Sequence, residues 1–296
     1  MNSSKRIPIF YACDDNFVKY TVVSIRSLIE HASLEKEYVI HVLNTGICEK
    51  MKQVLSSMEN DRFKIRFEDV TEYLKNISEK LPIRDYYSNT TYYRMFIAEM
   101  FPEYDKAVYI DSDTVVLGDI SELYNHELGD NYVGAAPDQV IVQTDTYGEY
   151  AEQVLGVDRL HYFNAGLLVM NCRQFREQKV LEQFVELLHM YNFVVAQDQD
   201  YLNVICKDHV QWIAQQWNTE VFGNISYGEE EFKIIHYNLV SKPWHYDDCR
   251  YQEYFWQYAK KTAVYEEIKA ELFHYTDEER KEDAISGERL LETAKS

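Results

Sequence analysis

Short apolar runs alternate with amphipathic stretches along the first part of this chain, and that rhythm limits the fold more than any other feature. Residues 7–13 are an apolar run, and 17–31 follow with Val22, Ile25, Leu28 and Ile29 at helical spacing. Residues 38–43 and 63–67 are again short and apolar, with a helical pattern at 49–58 between them. Residues 90–100 read as a helix, and Ala107-Val108-Tyr109-Ile110 as a further strand. Strands that alternate with helices predict an α/β fold, a mostly parallel sheet covered on both faces. Ligands of such sheets bind beyond the carboxyl ends of the strands. Asp14-Asp15-Asn16 and Asp111-Ser112-Asp113 both follow predicted strands and are therefore expected at one edge.

The second half is less regular. Residues 132–136, 163–171 and 232–236 read as strands, 174–191 as a long amphipathic helix and 198–206 as another helix. Tyr251, Tyr254, Phe255 and Tyr258 share one helical face, and the charged last dozen residues are expected to fray. With 296 residues, one large domain with a C-terminal extension fits best. The formal charge, 30 − 50 = −20, argues against a nucleic-acid surface and against broad adhesion to an anionic membrane. The five cysteines are scattered and form no Cys-x-x-Cys pair, so neither a zinc site nor a disulfide framework is expected. The N-terminal stretch is too short for a signal segment and no run is long enough to span a bilayer. The expectation is a soluble cytoplasmic protein.

None of the ten glycines falls into a dinucleotide fingerprint or a P-loop. A bound nucleotide would need a metal and side chains to hold its phosphates. Asp111 and Asp113 offer hard oxygen ligands for Mg²⁺ or Mn²⁺, and an added imidazole shifts the preference toward Mn²⁺. On the pair alone, a helix cap beside a solvated carboxylate reads equally well. His236 ends an apolar run and is the candidate imidazole. Six residues later, Pro243 biases Lys242 toward an extended backbone and Trp244 can anchor the turn, leaving the Lys242 ammonium free to face a diphosphate.

The chain resembles the retaining glycosyltransferases of family 8 over about residues 7–262. The resemblance rests on segments in the family's order: Tyr11-Ala12-Cys13-Asp14-Asp15-Asn16-Phe17, Thr91-Tyr92-Tyr93-Arg94, Tyr109-Ile110-Asp111-Ser112-Asp113, Phe163-Asn164-Ala165-Gly166, and Gln197-Asp198-Gln199-Asp200-Tyr201-Leu202-Asn203. His236 with Lys242-Pro243-Trp244 completes the set. It implies the GT-A fold, a Rossmann-like mixed, mainly parallel sheet flanked by helices. Residues 1–246 would form the catalytic domain and 247–296 a helical C-terminal extension. Asp111, Asp113 and His236 would ligate Mn²⁺ together with the phosphates of a UDP-sugar, with Ser112 in the same motif and Lys242 at the diphosphate. Ala12, Asp14 and Asn16 would contact the uridine, although Asp14 and Asn16 also suit helix N-caps. Arg94, Asp138, Asn164, Ala165 and Asp198 would bracket the donor sugar, with Gln199 beside the anomeric carbon. A surface ion pair would equally explain Arg94, and a turn after Pro137 would explain Asp138.

The resemblance implies transfer of glucose or galactose to a saccharide acceptor, with retention. A carboxamide at Gln199 argues against double displacement between two carboxylates and favours front-face attack. Two features depart from the family. Leu239 stands where a glycine is usual, and leucine tolerates positive φ poorly, so a differently shaped loop is expected. The residues after Thr276 are acid-rich rather than basic, which disfavours membrane docking beyond peripheral contact. The aromatic stripe at 251–258 is expected to seal a helix to the core; Trp256 as an acceptor platform is the lesser reading. A metal-dependent sugar nucleotidyltransferase would need a glycine-rich, basic loop in residues 1–20, which is absent. A non-catalytic UDP-sugar-binding module would have no need of the full ligand set.

Overall fold

The computed structural model describes residues 6–77, 89–193 and 195–295; residues 1–5 of the N-terminal stretch lie outside it. Ten strands are described: β1 Arg6–Ala12, β2 Glu37–Asn44, β3 Phe63–Asp69, β4 Ala107–Ile110, β5 Thr114–Val116, β6 Val133–Ala135, β7 Leu167–Met170, β8 Val210–Trp212, β9 Thr219–Glu220 and β10 Ile234–His236. Seven form one sheet in the order β3-β2-β1-β4-β7-β6-β8, and β5, β10 and β9 form a second. Four of the six pairings in the large sheet are parallel. The alternation in the sequence thus has the expected outcome.

Strand β1 is apolar after Arg6 because both of its faces are covered. Ile7, Ile9 and Tyr11 enter one core with Val22, Ile25 and Leu28 of the helix Val18–His31. Phe10 and Ala12 enter the other, with Leu43, Tyr109 and Leu168. The chain runs outward from β1 through β2 to β3, then returns to β4 on β1's other side. Strand order therefore reverses between β1 and β4, whose parallel register sets Phe10 opposite Tyr109. Their carboxyl ends open a crevice at that switch point, the usual place for a ligand.

The two antiparallel pairings complete that edge. Strand β7 runs against β4, so it delivers its N-terminal approach to the place where β4 delivers its C-terminus. The Asp111 amide accordingly donates to the Gly166 carbonyl at 2.8 Å. Strand β5 begins directly after Asp113 and pairs antiparallel with β10, with Thr114 opposite His236. That register brings His236 back to the aspartates.

Several sequence expectations need correction. The long helix expected over 174–191 is two helices, Cys172–Glu177 and Val180–Met190, separated at Lys179, which adopts φ 56°. Residues 163–171 are strand only over β7; Phe163 makes an isolated bridge to Pro137. Strands β5, β8 and β9 have two or three residues each, too few to show periodicity. The C-terminus is not frayed to the end: Thr276 and Glu279 form a capping box at the start of the helix Asp277–Ala294. Ahead of it, the helix Gln252–Ala259 buries Phe255 and Tyr258 and packs Tyr251, Tyr254 and Trp256 against the same core. Trp256 lies edge-on to Phe255 and donates its indole N–H to Gln252, so the face is a seal.

Candidate active site

Asp111, Asp113 and His236 each offer a ligand atom, and those atoms lie within 4.8 Å of one another. The His236 Nε2 is 3.3 Å from Asp113 Oδ1 and 3.9 Å from Asp111 Oδ2. Tyr109 donates its hydroxyl to Asp111 Oδ1 at 2.7 Å, leaving Oδ2 facing the histidine. Lys242 binds Asp113 Oδ2 and the Tyr237 carbonyl, so its ammonium sits against the acidic cluster. Burial works against ionisation of Asp113, but Lys242 and His236 outweigh it and hold the carboxyl well below the usual carboxylate range. Ser112 faces inward: its hydroxyl donates to the Ala12 carbonyl at 3.1 Å and accepts from Thr21 at 2.8 Å. It fastens the two strand ends together.

Gly166 makes the cluster possible. A Cβ there would lie 2.2 Å from His236 Cε1 and 2.7 Å from Asp111 Oδ2. Asn218, which no sequence pattern marked, fixes the imidazole. Its Oδ1 is 3.0 Å from His236 Nδ1, and its amide nitrogen donates to Asn164 Oδ1 at 3.0 Å. Asn164 in turn donates to Asp138 Oδ2 at 2.9 Å, where Gln199 Nε2 also donates at 2.9 Å. A carboxylate only accepts, so the whole series has one direction. Asn164 must turn its nitrogen to Asp138 and its oxygen to Asn218. Asn218 must then offer its oxygen to His236. The Nδ1 therefore donates to Asn218, which leaves Nε2 as the nitrogen turned to the two aspartates, the one a metal would use.

The residues expected to bracket a sugar join the same network. Asp138 caps the helix Gln139–Gln143 by accepting from the Ile141 amide at 3.0 Å, so the turn and the network use one side chain. The Ala165 amide donates to Gln199 Oε1 at 2.8 Å, which fixes both ends of that carboxamide. Arg94 is buried, correcting the surface-pair reading. Its Nε lies 2.9 Å from Asp198 Oδ2, its Nη2 3.5 Å from Asp111 Oδ1, and it also donates to the Ala165 carbonyl. One guanidinium therefore spans Asp111 of the ligand cluster and Asp198. Burial raises the Asp198 carboxyl to about 7 against the opposing pull of Arg94. Asn203 holds the helix Asp198–Cys206 to this segment, pairing its amide with the Phe163 N–H at 2.8 Å and carbonyl at 2.9 Å.

Asp14 accepts from the Asn16 and Phe17 amides, both at 2.9 Å, and shapes the turn after β1; Asn16 itself is exposed. Ala12 is buried beneath it. Leu239 adopts φ 61° despite its side chain, so the turn keeps the backbone form that suits glycine. Such a conformation costs about 1–2 kcal/mol for a residue with a Cβ. Flanking bonds hold it: Lys242 on the Tyr237 carbonyl, and Asn238 on the buried Glu220 at 2.6 Å.

The donor set fits a divalent metal: two carboxylates, an imidazole held with Nε2 toward them, and a glycine that leaves space between them. Asn218→Ala is expected to weaken Mn²⁺ binding about 10–100-fold, read by titration calorimetry, because the imidazole loses its orienting partner. Gly166→Ala should abolish Mn²⁺-dependent thermal stabilisation and lower stability by about 1–3 kcal/mol through overpacking. Wild-type Mn²⁺ affinity in either variant would contradict this geometry.

Comparison with known proteins identifies the family and the fold. The chain is 28% identical over 279 residues to the glycosyltransferase GlyE of Streptococcus pneumoniae, covering 88% of this chain and 62% of that one. It is 25% identical over 264 residues to the lipopolysaccharide 1,2-glucosyltransferase of Escherichia coli K12, covering 83% and 75%. The crystal structure of the galactosyltransferase LgtC with donor and acceptor sugar analogues superposes with a TM-score of 0.73 at 25% identity, over 90% of this chain and 100% of that one. The fold is accordingly GT-A. The chain spans 64% and 62% of the length of the first two curated relatives. The family model for glycosyl transferase family 8 matches residues 8–248, and the chain belongs to that family.

Proposed function

We propose that the protein is a retaining hexosyltransferase that moves glucose or galactose from a UDP-sugar to a saccharide acceptor with the help of Mn²⁺. One observation carries this reading. The metal-ligand cluster and the sugar-side carboxamide are ends of a single hydrogen-bonded series, His236–Asn218–Asn164–Asp138–Gln199. An isolated metal site would have no need of that connection. A saccharide of the bacterial surface is the favoured acceptor, supported by the lipopolysaccharide glucosyl- and galactosyltransferases among the relatives. Peripheral membrane contact is the most such an acceptor would demand, and no described helix is long and apolar enough to cross a membrane. The cytoplasm, where nucleotide sugars are made, is the proposed site of action.

Breaking the sugar–phosphate bond leaves negative charge on UDP while the ring gains oxocarbenium character. A metal held by Asp111, Asp113 and His236 would stabilise that charge on the diphosphate. Lys242 adds a second cation on the same side, placed before the reaction begins. Ala12, Asp14 and Asn16 would receive the uridine at the carboxyl end of β1. Arg94, Asp138, Asn164, Ala165 and Asp198 would hold the hexose in place.

The carboxylates suit front-face attack better than a covalent intermediate. Asp200 accepts from the hydroxyls of Tyr150 and Tyr162 and the amides of Val195 and Ala196, so it is fully engaged in fixing its loop. Asp198 is tied to Arg94. Gln199 is a weak nucleophile, and its oxygen already accepts from Ala165. The acceptor hydroxyl would therefore enter on the face that the phosphate leaves, and the phosphate oxygen would take its proton.

Incubation with UDP-glucose and UDP-galactose, with and without Mn²⁺, should release UDP only with the metal. Absence of release from both donors, together with no thermal shift by UDP plus Mn²⁺, would sink the proposal. Asp113→Ala should lose the metal-dependent shift yet remain folded. The Asp198 carboxyl, raised to about 7, gives a pH signature. It is ionised above that value and neutral below it, so the affinity advantage of the UDP-sugar over UDP should fall from pH 8 to pH 6. In Asp198→Asn that advantage should be small and independent of pH, as read by calorimetry.

A further inference from the structure

Glu271, far from the metal ligands in sequence, binds the helix start behind one loop expected to hold UDP and a residue of the other. It lies in the helix Tyr265–His274 of the C-terminal region. Its carboxylate receives the Tyr20 hydroxyl at 2.5 Å and the Lys19 ammonium at 2.6 Å, and lies 3.2 Å from His245 Nε2. Lys19 and Tyr20 open the helix that follows the Asp14–Asn16 turn. His245 follows Lys242-Pro243-Trp244. Burial works against ionisation of Glu271, but His245, Lys19 and Tyr20 outweigh it and hold the group below its ordinary range.

The packing beneath this carboxylate joins the same two loops. The Tyr20 ring stacks on Trp244 with centroids 3.6 Å apart, and Phe17 lies edge-on to Tyr20 at 5.4 Å. His245 is also stacked on Tyr275 at 3.9 Å. Tyr275 and Tyr246 both donate to Asp283 of the last helix at 2.7 Å. The acid-rich C-terminal helices thus grip the segment after Lys242, and through Glu271 they grip the segment after Asp14.

We propose that Glu271 is a positioning residue that fixes the separation between the uridine loop at 14–17 and the diphosphate loop at 242–246. This inference rests on the reading that those loops bind UDP. One rigid ligand must meet both loops at once, so their separation decides how much of its binding is realised. A displacement of about an ångström can cost on the order of 10²-fold in a positioned reaction. Glu271 touches no reacting atom, so its loss should appear in donor binding rather than in turnover of the bound donor.

The test uses the full chain with Glu271→Ala and Glu271→Gln. Glu271→Ala is expected to raise the Kd for UDP with Mn²⁺ and the KM for the donor about tenfold, with kcat changed by less than about twofold. Glu271→Gln, which keeps the shape and an acceptor for Tyr20 but loses the charge facing Lys19, should fall between wild type and Glu271→Ala; it decides the matter if Glu271→Ala does not fold. Hydrogen exchange without ligand should quicken in residues 14–20 and 240–246 together. A wild-type KM, a fall in kcat alone, or faster exchange in only one of the loops or in neither would overturn the proposal. A wild-type chain with no affinity for UDP would refute the functional reading instead, and the exchange result would still decide whether Glu271 joins the loops.

Discussion

Asp138 Oδ2 accepts from both Asn164 and Gln199, and the order of the site is built around that shared acceptor. It forces Asn164 and Gln199 to present their nitrogens, which forces Asn218 to present its oxygen, which places the His236 proton on Nδ1. From the other side the Ala165 and Gly166 amides donate to Gln199 Oε1 and Asn164 Oδ1, so neither carboxamide can turn over. Anchored at one end by a pure acceptor, the series has a single arrangement. The same carboxylate caps a short helix, so the anchor is also held by the backbone.

The topology explains why residues so distant in sequence can share this series. Parallel strands bring only their carboxyl ends to the crevice, which accounts for Asp14 and Asp111. An antiparallel neighbour brings its amino end to the same place, which accounts for Asn164, Ala165 and Gly166 ahead of β7. In the small second sheet β10 runs against β5, so its carboxyl end sets His236 beside the amino end of β5 and hence beside Asp113. A wholly parallel sheet of these strands would carry Gly166 and His236 to opposite ends of the molecule. The mixed sheet is therefore a condition of the site.

The fold and the site were legible in the sequence to different depths. The N-terminal strands could be read because burial on both faces makes them continuous apolar runs, as in β1 and β2. Strands β5, β8 and β9 could not, because two or three residues carry no period. Asp111, Asp113 and His236 stood out by residue type and position, and Gln199 only through the family resemblance. Asn218 did not: an asparagine in a short 3₁₀ turn after Trp217 looks like any loop residue until the fold sets it behind an imidazole. Arg94 looked like a surface cation because its partners, Asp111 and Asp198, are remote in the chain. Leu239 shows the opposite error. Local preference argued against positive φ, and bonds on both sides of it prevail.

The pairing of β5 with β10 also orders events during synthesis. Asp111 and Asp113 leave the ribosome well before the strand that carries His236, and N-terminal segments generally organise first. For that interval the two carboxylates stand at a strand end without the imidazole or the Lys242 ammonium that later faces them. Only the returning strand closes the second sheet and supplies both. The three ligand groups and the Lys242 ammonium are therefore assembled only after β10 and the segment that follows it have been made.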